Sequence, residues 1–181
     1  MGTPSALVLA ILRELARDIR TSRTINQMAR SSGKAYANTH AVATQLLEEH
    51  VLTKETIGHS HHCKLNLYND KTLLYLSLLE TIKRDELILQ DPTIRELLLR
   101  IDNASAQLGV LLAWHRGTHT LLITSSHQTS ERASELLKFS CTVLPLAAYL
   151  HDHELRSTVS GSGTLLFGHA LYASLLREVR R

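Results

Sequence analysis

Residues Thr24–Leu67 read TINQMARSSGKAYANTHAVATQLLEEHVLTKETIGHSHHCKLNL, and the pattern of this stretch decides the fold expected for the chain. Thr24 precedes a short run, Ile25–Ala29, whose Ile25, Met28 and Ala29 share one helical face. A Thr in that place caps a helix by accepting from one of its first free amides. Ser31-Ser32-Gly33 reads as a turn, with Gly33 able to take the positive φ that a tight helix-to-helix connection requires. A longer helix is expected from Ala35 to Glu49, with Thr39, Val42, Ala43 and Leu46 inward. Val51–Ile57 and Cys63–Leu67 read as two strands joined by the polar loop Gly58-His59-Ser60-His61.

Helix, turn, helix and two-stranded ribbon in this order is the pattern of a winged helix-turn-helix. That arrangement holds its second helix out for insertion into the DNA major groove. The outward face of this helix carries Tyr36, Ala37, His40, Ala41 and Thr44, just after Lys34. An ordinary solvated helix face is laced with Glu and Lys. A small, polar face suits close approach to base edges and phosphates instead. Arg30 and Lys34 are expected to position phosphates, and His59, Ser60 and His61 to form the wing tip.

Charge placement agrees with that reading. The net formal charge is +3. Residues 1–66 hold eight Lys/Arg against five Asp/Glu, while the remainder holds 12 of each. The whole excess therefore sits where phosphate contacts would need it. The chain of 181 residues is 44% hydrophobic and 20% charged, a composition for globular domains and not for disorder. Cys63 and Cys141 form no CxxC pair and announce neither a disulfide framework nor a zinc ribbon. MGTPSALVLAILRELARD has no basic segment ahead of its short apolar run and passes into charges at helical spacing, so it is not a signal peptide. No run reaches transmembrane length, and a cytoplasmic location without membrane contact is expected.

Around this core stretch the chain supplies braces. Ser5 is placed to cap a first helix whose stripe is Leu7, Ile11, Leu12, Leu15 and Ile19, with Arg13, Glu14, Arg17 and Asp18 on the other face. Thr21–Arg23 reads as a break. Asn69-Asp70 caps a long helix, Lys71 to about Leu89, with Leu residues on more than one face. Such a helix is covered on several sides, by a second domain or by a second copy at a homodimer seam. A short helix, Thr93–Ile101, ends at Asp102-Asn103. Leu108–Trp114, Thr120–Thr124, Cys141–Leu146 and Thr164–Phe167 then read as strands. They are interleaved with helices at Ser130–Phe139, Ala147–Leu155 and Gly168–Arg180. The expected class is α+β, with a DNA-binding domain over 1–69, linking or dimerisation helices over 70–104, and a small mixed α/β domain over 105–181.

The Thr24–Leu67 stretch, followed by YNDKTLLYLSLLE, resembles the winged helix domains of archaeal and bacterial transcription regulators. In particular it is similar to archaeal proteins in which that domain precedes a minimal nucleotidyltransferase domain. GVLLAWHRGTHTLLIT resembles the first two strands of such a domain, and GTLLFGHALYASLLREV its closing strand and helix. The family's Gly-Ser pair, which positions nucleotide phosphates, is matched here by Trp114-His115. Its magnesium-holding Asp-x-Asp is matched by Thr118-His119-Thr120. Magnesium wants carboxylate oxygens, which Thr and neutral His do not offer. The resemblance thus implies a pseudoenzyme domain kept for assembly or ligand sensing, with no catalytic residue, metal or cofactor. An active nucleotidyltransferase of toxin–antitoxin type, or a protein-interaction module, are the alternatives.

Two further clusters hold side chains that could bind a metal or move protons. His59, His61, His62 and Cys63 include soft-metal ligands. His61 and Cys63 share one strand face and His62 opposes them, so the expectation is a phosphate- or solvent-facing tip with Cys63 in the core. His151-Asp152-His153-Glu154 reads as a solvated turn. Ser160–Gly163 lacks the Lys of a P-loop and reads as a connection.

Overall fold

The computed structural model describes residues 4–125, 129–152 and 163–176. Among these the chain is α+β, with eight helices and two small sheets. It divides into two compact units, and the division falls between Leu79 and Glu80, inside one helix. No described helix is long and apolar enough to cross a membrane.

In the first unit, Ser5 accepts from the Val8 amide and starts α1 (Ala6–Ala16). Val8, Ile11, Leu12 and Leu15 are its buried stripe. Ile19 lies beyond the helix end, so the stripe is shorter than its spacing predicts. Glu14, expected on the outer face, is buried. It pairs with Arg17 at 2.9 Å and Arg23 at 3.5 Å, which is how a carboxylate is tolerated there. α2 (Ile25–Ser32) begins with a full capping box: Thr24 Oγ1 accepts from the Gln27 amide at 3.2 Å, and Gln27 Oε1 accepts from the Thr24 amide at 2.8 Å. Ser31 and Ser32, expected in the turn, continue the helix, their hydroxyls donating to the Met28 carbonyl. Gly33 alone makes the turn, at φ +63.

α3 (Tyr36–Glu48) buries Thr39, Ala43 and Leu46. Thr39 donates its hydroxyl to the Ala35 carbonyl, so its burial leaves no orphan. Val42, expected inward with them, is only half-buried. β1 (Leu52–Ile57) and β2 (Ser60–Leu65) pair antiparallel, with Leu52 opposite Leu65, Lys54 opposite Cys63 and Thr56 opposite His61. The second strand starts three residues earlier than expected, and Gly58-His59 is the whole turn. Arg23, expected in a structureless break, instead bridges Cys63 through two backbone hydrogen bonds of 2.9 and 2.8 Å.

α4 (Asp70–Gln90) starts in the first unit, where Thr72 donates to the Val51 carbonyl and Lys71 pairs with Glu49 at 2.7 Å. Its last turns belong to the second unit, where Leu87 and Ile88 pack on the core. α5 (Thr93–Leu108) is two turns longer than expected, because Asp102 and Asn103 sit exposed on its outer side while Ile101, Ala104 and Leu108 continue the buried stripe. α4 thus runs from the first unit into the second, and α5 packs on the core of the second unit.

The second sheet has the order β5-β4-β3-β6, made of β3 (Val110–Arg116), β4 (His119–Thr124), β5 (Cys141–Pro145) and β6 (Thr164–Phe167). β4 and β5 run parallel and the other neighbours antiparallel. α6 (Ser130–Leu137) is the crossover into β5, α7 (Leu146–His151) follows β5, and α8 (His169–Leu175) follows β6. α5 and α6 share a core with the sheet through Ile101, Leu108, Ala113, Leu122, Leu137 and Leu166.

Candidate nucleic-acid interface

In the first unit α3 and the hairpin face each other across a groove of about 610 Å³. The N-terminal turn of α2 closes one end with Thr24, Ile25 and Asn26. Tyr36, His40, Thr44 and Leu47 come from α3, and Lys54, Ser60, His61 and Cys63 from the hairpin. No acid lines it. The strand period explains the hairpin's share. One face runs from Leu52 and Leu65 in the core, past Lys54 and Cys63, to Thr56 and His61 at the open end. Thr56 Oγ1 and His61 Nδ1 stand 3.4 Å apart across the strands. On α3 the Tyr36 and His40 rings, one turn apart, sit with centroids 5.8 Å apart, and Tyr36 is 54% exposed.

Of the ten residues singled out in the sequence, all are exposed. The groove gathers Tyr36, His40, Thr44, Ser60 and His61. Arg30, Lys34, Ala37, Ala41 and His59 lie outside its lining. Sequence reasoning missed Thr24, Asn26 and Lys54. The strand period in LTKETI carried a signal for Lys54, since it places Lys54 on the face of Leu52. Ser60 and His61 lie on β2 and not in a loop.

Ion pairing sorts the basic residues of this unit. Arg17 and Arg23 serve Glu14, Lys64 serves Glu55, and Lys71 serves Glu49. The Lys71 ammonium holds the Glu49 carboxyl below its ordinary range, with Gln45 assisting. Among the described residues no ion pair engages Arg30, Lys34 or Lys54. Cys63 is buried, and burial pushes its thiol up, so it adds no negative charge to the groove floor. Among the described residues no three His, Cys, Asp or Glu side chains converge as a metal would require.

The second unit holds a cleft of about 420 Å³ between the start of α5, the β3–β4 turn and the α6–β5 corner. Ile94, Leu97 and Phe139 give it apolar walls, and Thr93, His115, Thr120 and Lys138 face it with polar groups. His115 Nδ1 lies 3.1 Å from Thr120 Oγ1, and burial pushes the imidazole below its ordinary value, against an opposing pull from Asp91. Trp114 is 2% exposed and meets Tyr172 edge-on, ring centroids 4.9 Å apart. Both Trp114 and His115 are interior strand residues, and β3 passes directly to β4 through Gly117-Thr118. His151 and Asp152 are exposed at the end of α7; His153, Glu154 and residues 160–162 lie outside the described residues.

Comparison with known proteins finds no matching family model, no matching curated protein and no matching solved structure.

Proposed function

We propose that this protein is a sequence-specific DNA-binding transcription regulator of the winged helix-turn-helix class, acting in the cytoplasm as a homodimer. In this reading α3 is the recognition helix and the β1–β2 hairpin is the wing. The observation that carries it is the outer face of α3. Tyr36, Ala37, His40, Ala41 and Thr44 are all exposed, none is acidic, and among the described residues three basic side chains nearby pair with no carboxylate. That combination suits a polyanion whose base edges must be approached closely. Arg30 and Lys34 contact phosphates, while Tyr36, Ala37, His40, Ala41 and Thr44 approach bases. His59, Ser60 and His61 lie along the backbone.

The second unit serves assembly or ligand sensing in this account. The cleft around His115 is its ligand seat, and the positions matched to the nucleotidyltransferase motifs offer no carboxylate for magnesium. Leu74, in the first unit, is 57% exposed and Leu89, in the second, 81%; each is an apolar side chain that a second copy would cover.

The test is binding to duplex DNA across a salt series, comparing the protein with its Arg30→Ala/Lys34→Ala variant. Each lost phosphate contact flattens the slope of log affinity against log salt by about 0.9. The double variant should therefore bind every sequence more weakly, with a slope shallower by about 2. Unchanged affinity and slope would remove both residues from the interface.

A further inference from the structure

The cleft of the second unit is lined by two acids and two bases, Asp91, Glu96, Arg100 and Lys138, and bonding divides them. Glu96 and Arg100, one turn apart on α5, pair with each other. Arg100 also donates to the Leu137 and Lys138 carbonyls, at 3.1 and 3.3 Å. Asp91 and Lys138 remain, and among the described residues no ion pair engages either. Asp91 Oδ1 accepts from the Thr93 hydroxyl at 2.6 Å and from the Thr93 amide at 3.0 Å. These bonds fix the carboxylate ahead of α5 and hold its pKa below the ordinary range, so it stays charged. We propose that the cleft takes a free α-amino acid with a large apolar side chain, its ammonium held by Asp91 and its carboxylate by Lys138. This rests on reading the cleft as a ligand seat and names the chemistry of the occupant.

The backbone of Lys138 is a second, independent observation. Lys138 ends α6 at φ +59, in the left-handed region where glycine is the usual residue and a side chain is strained. Among the described non-glycine residues only His50 shares a positive φ. The neighbouring structure holds Lys138 there: its amide donates to the Ser134 carbonyl at 2.9 Å, and Arg100 grips its own carbonyl. Backbone strain held in this way gathers at ligand clamps. What a lysine brings to this corner, and a glycine would not, is an ammonium group at the cleft.

One charge of each sign selects the occupant. A purely anionic molecule would be repelled by Asp91 and a purely cationic one by Lys138, whereas a zwitterion satisfies both. His115 adds no third charge, because burial pushes its imidazole below the ordinary value and its Nδ1 lies 3.1 Å from Thr120 Oγ1. Ile94, Leu97 and Phe139 give the side chain of the ligand apolar walls. The volume of about 420 Å³ lies toward the small end of ligand pockets, which span about 300–1,000 Å³, and suits a single small molecule.

The experiment titrates the isotopically labelled full chain with L-phenylalanine and L-leucine, and with two relatives that each lack one charge, hydrocinnamate (no ammonium) and phenethylamine (no carboxylate). Backbone amide shifts locate binding and calorimetry gives its strength. Both amino acids should shift amides at Asp91–Arg100, His115–Thr120 and Lys138–Ser140, and each singly charged relative should bind at least about tenfold more weakly than L-phenylalanine. Asp91→Asn, which keeps an acceptor for Thr93, should weaken L-phenylalanine about tenfold and leave hydrocinnamate unweakened; Lys138→Gln should do the converse with phenethylamine. Lys138→Gly relieves the left-handed strain, so it should lose the amino acid while unfolding at a higher urea concentration. That pairing also shows that the variant is folded. Hydrocinnamate or phenethylamine binding the cleft as tightly as L-phenylalanine overturns this proposal alone, as does L-phenylalanine binding undiminished in Asp91→Asn or Lys138→Gly. If none of the four compounds shifts the cleft amides, the proposal falls together with the reading of the cleft as a ligand seat.

Discussion

Gly168 tolerates replacement less well than Gly33, Gly58 or Gly117. It holds φ +84, and a Cβ built there would stand 2.1 Å from the Leu111 carbonyl oxygen, a backbone atom with nowhere to go. Gly33 also has a positive φ, +63, but meets open space. Gly33→Ala should cost about 1 kcal/mol, the strain of a left-handed non-glycine residue. Gly168→Ala should cost about 2–4 kcal/mol, since the α8 entry must also move. Urea unfolding followed by fluorescence of Trp114, the chain's single tryptophan, reads the second unit directly. Equal midpoints for Gly168→Ala and the unmodified protein would contradict the close approach.

The same tryptophan reports a pH effect. Burial lowers the pKa of His115, and burial together with Arg84 lowers that of His169, from the ordinary 6.5. As pH falls through about 6.5 the unfolded chain takes up these protons before the folded one does. The second unit should therefore be more stable at pH 7.5 than at pH 5.5. The difference should shrink in His115→Asn/His169→Asn. A midpoint that rises on acidification would reverse the sign and refute the assignment.

At the scale of elements, the helices and the hairpin of the first unit were legible because their signals are local. Thr24 and Gln27 spell the capping box, Gly33 marks the turn, and Met28, Ala29, Ala43 and Leu46 mark the buried faces. The groove was half legible. Tyr36, His40 and Thr44 follow from helical period, and His61 from its position in the hairpin. Lys54 follows from the strand period, which sets it on the face of Leu52; Asn26 does not follow, because its place depends on how α2 meets the hairpin, a tertiary fact. Glu14 was misplaced for the same kind of reason: its partner Arg23 is nine residues away, on a segment fixed by bridging to Cys63. In the second unit Asp102-Asn103 looked like a stop. Helix-ending propensity is weak, however, and the buried stripe on either side of the pair carries α5 through it.

At the scale of the whole molecule, the division inside α4 gives each unit its own part of the account. The first presents α3 and a basic groove; the second carries the cleft around His115. The proposed regulator would read two half-sites with two copies of α3, so a homodimer is part of the proposal. Sedimentation equilibrium should give twice the chain mass of 20.2 kDa, and Leu74→Glu/Leu89→Glu should return the single-chain value. A monomer at all concentrations would confine the protein to one half-site. The central claim, that α3 and the hairpin are the DNA-binding surface, is tested most directly by titrating isotopically labelled protein with a short duplex and following backbone amide shifts. The account predicts perturbations concentrated at Arg30–Thr44 and along Lys54–His61. Perturbations confined to the second unit, around Asp91–Arg100 and His115–Thr120, would contradict it.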